Sequence, residues 1–444
     1  MKCLGLWGNF GQGSEIRGPT PERTPKKLTL ISRKEDRTMK IRTCIAMLGL
    51  LTFLAASPFA VAEDFIKIGI VAPLSEPGGV ETGQALVDGA KIAAKEINDN
   101  GGLPGKEVKL VIGDTGGLPE KGTAVMERLI THDKVVAVGG EAHSSVAMAE
   151  IEVVHRYGIP LVISEAWSDG ITAAGYPEVF RITVSNSLIY SKAATWIKES
   201  GFKHVAVIGE NSDWGLGVIR VFKDNLKQAG VKVTSFSAER TITDFTPQLL
   251  QLKGMKPPVD FLVDGFTGAA ELLMIKQAYE LGLAPTANCA LLGAGMDTLY
   301  PGFWETVGEA GKYVLSNPAG LPGLPKTKVS DMFGATFKAQ HNREPDAVAM
   351  EGYDAVMVIA EAIKAAGSTD SKKLIAELEK INWEGTRGTI TFSTSTNPPW
   401  AYHMWMDVPV FIIQYTALNQ DSSEAAILWP AAFSTVKGYI TPSR

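Results

Sequence analysis

The 444-residue chain is 45% apolar and 20% charged, with 45 glycines, 24 prolines and 3 cysteines, a balance that excludes disorder, a collagen-like repeat and a disulfide-stapled miniprotein. Its net charge of −5 becomes −11 once residues 1–62 are set aside, 33 Lys and Arg then facing 44 Asp and Glu. An acidic chain without a basic cluster is a poor binder of nucleic acid and anionic membranes, and at about 100 to 200 residues per domain the length predicts two or three domains.

The amino terminus reads as a leader. A basic stretch begins at Met39, an apolar run of 12 residues spans Ile45 to Ala56, and Ala60-Val61-Ala62 follows as a small-residue triplet. This is the order of a secretory signal with cleavage after Ala62, and the run is too short to cross a bilayer, which takes about 20 residues. Met39 is read as the initiator and residues 1–38 as a gene-calling extension; the rival reading is a long native leader. Cys3 and Cys44 leave with this segment, so Cys289, in the apolar run Asn288 to Leu292, is the one mature cysteine and is expected to be buried packing.

From Phe65 short β-branched runs alternate with helical patterns, the rhythm of a parallel sheet wrapped by helices. Strands are expected at 65–72, 108–112, 135–139 and 161–163, with helices over 82–98, 120–131 and 145–157. Asn100-Gly-Gly-Leu-Pro-Gly105 stops the first helix, because glycine takes the left-handed cap conformation and proline cannot continue the turn. After an extended 179–183 the rhythm restarts, with strands at 204–209, 231–236, 261–264 and 289–292 and helices over 188–200, 216–229, 245–252 and 269–281. Helices over 330–340, 346–366 and 371–381 and extended runs at 388–392 and 405–415 close the chain. The fold class is therefore α/β, two doubly wound parallel-sheet lobes, with some late helices returning to the first.

Catalytic motifs are absent from the sequence: there is no Gly-x-Ser-x-Gly, His-Glu-x-x-His, phosphate loop or Cys-x-x-Cys, and no two of the six histidines lie four apart. No enzyme activity, cofactor or metal is expected. Gly215-Leu-Gly217-Val-Ile-Arg220 and Gly293-Ala-Gly295-Met-Asp-Thr298 imitate dinucleotide loops but lack the third glycine that close helix–strand packing needs. Polar and aromatic residues do cluster just after strands, where ligands bind in open α/β sheets and helix amino termini present free N–H groups. Ser144 and Ser145 would there hold a carboxylate or simply cap a helix. Glu165, Ala166 and Trp167 follow the next strand, and Glu165 is read either as acceptor for a ligand N–H or cation or as a solvated loop acid. Trp214 and Phe266 take equivalent places in the second lobe; each aromatic is read as an apolar pocket wall or as packing.

The run Gly89-Ala-Lys-Ile-Ala-Ala-Lys-Glu-Ile-Asn-Asp-Asn-Gly-Gly-Leu-Pro-Gly105, Asp114 after the next strand, and Tyr353-Asp-Ala-Val-Met-Val-Ile-Ala-Glu-Ala-Ile-Lys-Ala-Ala-Gly367 resemble the branched-chain amino acid binding proteins of ABC transporters, over Asp64 to about Trp405. The resemblance implies a type I periplasmic binding protein fold with three hinge crossings, near Thr183, Asn317 and Thr389. Lobe 1 is then 63–183 with 317–388, and lobe 2 is 184–316 with 389–444. It implies a monomeric periplasmic protein that captures a small solute by closing its lobes and delivers it to a membrane permease. Ser144 and Ser145 match the serine pair that holds the ligand carboxylate, Ala166 and Trp167 fall at its polar end, and Trp214 and Phe266 stand where or near where tyrosines are common. The family's acid for the ligand ammonium is expected just after Leu292, at Gly293, yet the first carboxylate is Asp297. A buried ammonium without a counter-charge is costly, so an aromatic or other bulky carboxylate, or an amide or amine at Glu165, is expected in preference to leucine. Two other classes stay open, an exported nucleotide-dependent dehydrogenase and a soluble sensory module.

Overall fold

Consecutive residues Ile68 to Ala72 are all buried in β1 (Phe65–Ala72), so both faces of this strand are covered, as in the interior of a parallel sheet. The computed structural model describes residues 65–442; the expected extension and signal peptide lie outside the described residues. Next along the chain come α1 (Val80–Asp99), β2 (Glu107–Asp114), α2 (Pro119–Thr131), β3 (Ala137–Gly140), α3 (Ser144–Tyr157), β4 (Leu161–Ile163) and β5 (Val179–Arg181). The five strands form one wholly parallel sheet in the order β2-β1-β3-β4-β5.

The chain then passes to a second sheet through α4 (Asn186–Glu199). There follow β6 (His204–Glu210), α5 (Asp213–Gln228), β7 (Lys232–Ala238), α6 (Thr246–Lys253), β8 (Phe261–Gly265), α7 (Ala269–Glu280), β9 (Ala290–Gly293) and β10 (Leu315–Ser316). After them come α8 (Lys328–His341), α9 (Ala347–Ala366), α10 (Ser371–Leu378), a hairpin of β11 (Trp383–Gly385) with β12 (Gly388–Ile390), and finally β13 (Ile412–Gln414) and β14 (Ala426–Trp429). The second sheet has the order β14-β13-β10-β9-β8-β6-β7, in which only β13 runs against the others, antiparallel to both β10 and β14.

The late helices return to the first sheet. On α9, Gly352 lies so near α1 that a Cβ there would stand 2.0 Å from the Leu86 carbonyl oxygen, and a Cβ on Gly89 would stand 1.9 Å from that of Ala349. Only glycine permits two helix backbones to approach this closely, and α9 thereby covers the first sheet, with Ala355 and Ile359 over Gly139 of β3. Three connections therefore join the sheets, through 182–203, 317–346 and 391–411.

Two expectations about the carboxyl-terminal part are corrected. The extended run 405–415 contributes only Ile412–Gln414 to a sheet, because Trp405 N–H bonds to Arg181 O as the chain crosses between sheets and Pro409 cannot donate to a ladder. The 388–392 run pairs over Gly388–Ile390 with β11 instead of joining either large sheet. Cys289 is buried, which pushes its thiol up to about 12.

Candidate functional site

The chain leaves β3 through Gly140 and Glu141, the latter at φ +61, a region costly for a side chain with a Cβ. Glu141 Oε1 offsets this by accepting the N–H groups of Ala142 (3.0 Å) and His143 (2.8 Å), and Glu141 O accepts those of Glu165 and Ala166, both at 3.1 Å. The β3 and β4 turns are thus one structure. Ser144 is the first residue of α3, not its cap. Its Oγ accepts N–H from Trp167 (3.2 Å) and Ser168 (2.9 Å). With both lone pairs taken, the hydroxyl proton is left to donate. Ser145 Oγ reaches the other way, accepting the Asp213 N–H of α5 at 3.2 Å.

On the facing sheet, Glu210 ends β6 with 2% exposure. It accepts from Ser212 Oγ (2.6 Å), Thr267 N (3.1 Å) and Thr267 Oγ1 (2.9 Å). Ser212 caps α5 through the Gly215 N–H and so sets Trp214 at the first turn, where Asn186 Nδ2 holds its carbonyl at 2.9 Å. Beyond β9, Asp297 Oδ2 accepts the Gly268 N–H at 2.6 Å, while the buried Glu271 accepts the N–H groups of Gly295 and Asp297. A Cβ on Gly295 would stand 2.4 Å from Glu271 Oε2 and 2.5 Å from Phe266 O, so glycine is required for the loop to lie this close.

The two walls face each other across a cavity of about 60 Å³. Thr82, Ser144, Ser145, Glu165 and Trp167 line it from one sheet, and Glu210, Trp214, Arg240, Thr267 and Asp297 from the other. The cleft is bridged at its mouth: Arg240 Nη2 donates to Pro77 O at 3.0 Å, and its Nη1 lies 3.4 Å from His143 Nδ1. Arg220 and Asp169 join across it at 2.6 Å. Burial, more than any charge, raises Glu165, Glu210 and Asp297 above the ordinary carboxylate range. Burial and then Arg240 push the His143 imidazole down to about 3, so it is neutral.

Five of the eight residues singled out in the sequence, Ser144, Ser145, Glu165, Trp167 and Trp214, meet at this cavity; the other three do not line it. Ala166 is fully buried among the apolar residues of the first sheet. Phe266 is fully buried with its ring 4.9 Å from that of Phe245, and its neighbour Thr267 takes the cavity position. Gly293 is covered by Thr298 and Glu271. The expectation that no counter-charge faces a ligand ammonium is corrected as well, because Asp297, four residues past Gly293, turns back to the cavity beside Glu165 and Glu210.

Sequence reasoning passed over Thr82, Glu210 and Arg240 and discounted Asp297. Glu210 had a usable signal, lying at the carboxyl end of its strand, whereas Thr82 sits in the first turn of α1 and Arg240 arrives from the loop after β7 without one. The glycines of the two imitation loops have packing roles: a Cβ on Gly215 would meet Glu210 O at 2.2 Å, and one on Gly217 the Asn186 Nδ2 at 2.0 Å.

Two doubly wound lobes around a bridged cleft have counterparts among known proteins. The family model described as periplasmic binding protein matches residues 66–408. The chain belongs to that family. This periplasmic binding protein is 27% identical to the Leu/Ile/Val-binding protein BraC3 of Rhizobium johnstonii, over 76% of this chain and 88% of that one. It is also 27% identical to the leucine-, isoleucine-, valine-, threonine- and alanine-binding protein of Pseudomonas aeruginosa, over 80% and 92% of the two chains. Among solved structures, a leucine binding protein of Thermotoga maritima superposes with a TM-score of 0.72 at 23% identity, covering 82% of this binding protein and 98% of that one. A solute binding protein of R. palustris in complex with benzoate gives 0.69 at 23% identity, over 82% and 95%. Both structural likenesses bear on the type I periplasmic binding protein fold alone.

Proposed function

We propose that this binding protein captures a small amino-acid-like solute for an ABC importer and carries out no covalent chemistry. The observation that carries the reading is the division of the cavity: a serine pair at the amino end of α3 on one side, and Glu165, Glu210 and Asp297 around the rest. A solute carboxylate would take the free Ser144 proton and the unpaired N–H groups of the first turn of α3, which is 14 residues long. Its ammonium would lie against the carboxylates, Glu165 among them, and its apolar part between Trp167 and Trp214. The names of the Rhizobium and Pseudomonas relatives support an amino acid.

The leader over 39–62, cleaved after Ala62, would deliver a monomer to the periplasm. Lobe 1 (63–183 with 317–388) and lobe 2 (184–316 with 389–444) would open and close about the crossings near Thr183, Asn317 and Thr389, and the closed form would be what a membrane permease recognises. A second reading, an aromatic carboxylate without an ammonium, is favoured by the two tryptophans and by the benzoate-bound relative.

A thermal-shift panel of amino acids, benzoates and amides separates the readings. A solute at 100 times its Kd adds about 2.7 kcal/mol, or roughly 2 to 4 °C per kcal/mol for domains of this size. Amino acids with a bulky apolar side chain should give the largest shift. A response to benzoates alone would select the second reading, and none at all would reject both.

A further inference from the structure

Among the described residues that line the cavity, Arg240 is the one lysine or arginine; it comes from the loop after β7, and the groups it meets belong to the opposite wall. Its Nη2 donates to Pro77 O at 3.0 Å, and its Nη1 faces His143 Nδ1 at 3.4 Å. Both partners are neutral, and among the described residues no carboxylate pairs with this half-buried guanidinium. Glu210, on the same wall, spends its two oxygens on Ser212 and Thr267. The contact with His143 is loose. The Gly79 N–H points at the other ring nitrogen, Nε2, also from 3.4 Å, so both nitrogens face donors. A neutral imidazole accepts at one nitrogen only, so in either tautomer one of the two contacts is not a hydrogen bond, and both are longer than the usual range of about 2.7 to 3.2 Å. The ring packs on Gly117, where a Cβ would stand 2.8 Å from His143 Cδ2.

We propose that Arg240 is a specificity-determining residue that selects carboxylate solutes over their neutral amides, its Nη1 moving from His143 to the carboxylate seated at the amino end of α3. The inference rests on that seat, which the amino-acid and aromatic-carboxylate readings share. His143 caps α3 and is the neighbour of Ser144, so the guanidinium stands at the end of the helix that presents the Ser144 proton and the unpaired N–H groups. The groups assembled there are donors. A carboxylate meets them with acceptors alone, and bonds to a charged acceptor are about twice as strong as neutral ones. A carboxamide turns an NH2 toward one of them, leaving two donors face to face. Glu165, Glu210 and Asp297 line the rest of the cavity, so the charge that compensates the negative end of a solute comes from Arg240. Because Arg240 enters from the second sheet and the serines from the first, the same contact ties closure of the lobes to the charge of the solute.

L-Phenylalanine against L-phenylalaninamide and benzoate against benzamide are titrated calorimetrically, the amides by displacement of the acid where they bind weakly. Near pH 6, below the value of about 7.7 for an α-amino group, both members of the first pair carry the ammonium. Wild type should prefer the acid to its amide by about tenfold or more. In Arg240→Gln the acid should weaken about 10- to 100-fold and the amide less than about threefold, so the preference collapses. Arg240→Lys keeps the charge without the fork and should retain part of it. Arg220→Gln is the comparison, because Arg220 joins the walls at Asp169 without lining the cavity; it should change acid and amide by one common factor. If Arg240 only latched the cleft, R240Q would do the same, and a preference left unchanged in R240Q overturns the proposal. So does an amide that matches its acid in wild type, a result that needs no variant to fold. Should no acid bind wild type, the carboxylate seat on α3 is wrong and the proposed function fails with it, whereas acids that bind R240Q as tightly as wild type refute this inference alone.

Discussion

Arg387→Met is expected to destabilise the protein by about 3 to 5 kcal/mol, the range for removing one partner of a buried ion pair. The guanidinium has no exposure and spends its donors in four directions. Nη1 goes to Glu351 Oε1 (2.6 Å) and Ala319 O (3.0 Å), Nη2 to Ile182 O (2.9 Å), and Nε lies 3.5 Å from Asp354 Oδ2, with the group 5.4 Å from the ring of Trp405. Ile182 and Ala319 belong to the first two connections between the sheets, and Arg387 itself stands just before β12 and the third. Methionine fills similar space but leaves Glu351 and Asp354 buried without their cation and two carbonyls without a donor. Lysine keeps the charge but not the fork, so Arg387→Lys should recover only part of the loss. Denaturant unfolding measures both. A loss below about 1 kcal/mol for Arg387→Met would mean that the cluster contributes no more than a surface pair.

That cluster also marks the limit of what the chain discloses before folding. Strands such as β6 and β8 and helices such as α1 and α5 are legible because their periodicity is local and their burial follows it. Trp167 and Trp214 are legible as cavity-lining residues because each stands at a strand-to-helix turn, where the cleft of an open α/β sheet lies. Phe266 meets the same criterion and fails it: α6 begins beside it and supplies Phe245 as a partner, so the cavity position slips to Thr267. Glu351 and Asp354 read as the polar positions of an amphipathic helix, yet α9 is covered on nearly every side and both are wholly buried. Two acids three apart in the apolar first half of the helix were a signal. Their partner Arg387 is 36 residues from Glu351, and no local pattern pairs them. The strand β14 went unread because its pairing with β13 depends on a sheet built by the rest of the chain.

Ser144→Ala should weaken solute binding by about 1 to 3 kcal/mol through loss of a hydrogen bond to a charged group and the unpaired donors left behind. The hydroxyl has two tasks, and the substitution ends both. It accepts the N–H groups of Trp167 and Ser168, which hold the β4 turn against α3, and its proton is the one left for a solute. With alanine, two buried N–H groups lose their acceptor, so the ligand-free protein should also lose stability, by a similar amount. The comparison with Ser145→Ala separates the tasks. Ser145 Oγ accepts one N–H, from Asp213 across the cleft, so its removal should leave ligand-free stability nearly unchanged. Titration calorimetry with the tightest amino acid of the panel, paired with thermal unfolding of the empty protein, reads both quantities. Unchanged affinity in Ser144→Ala would remove this residue from the site, and lost stability with unchanged affinity would make its hydroxyl a brace between two turns and nothing more.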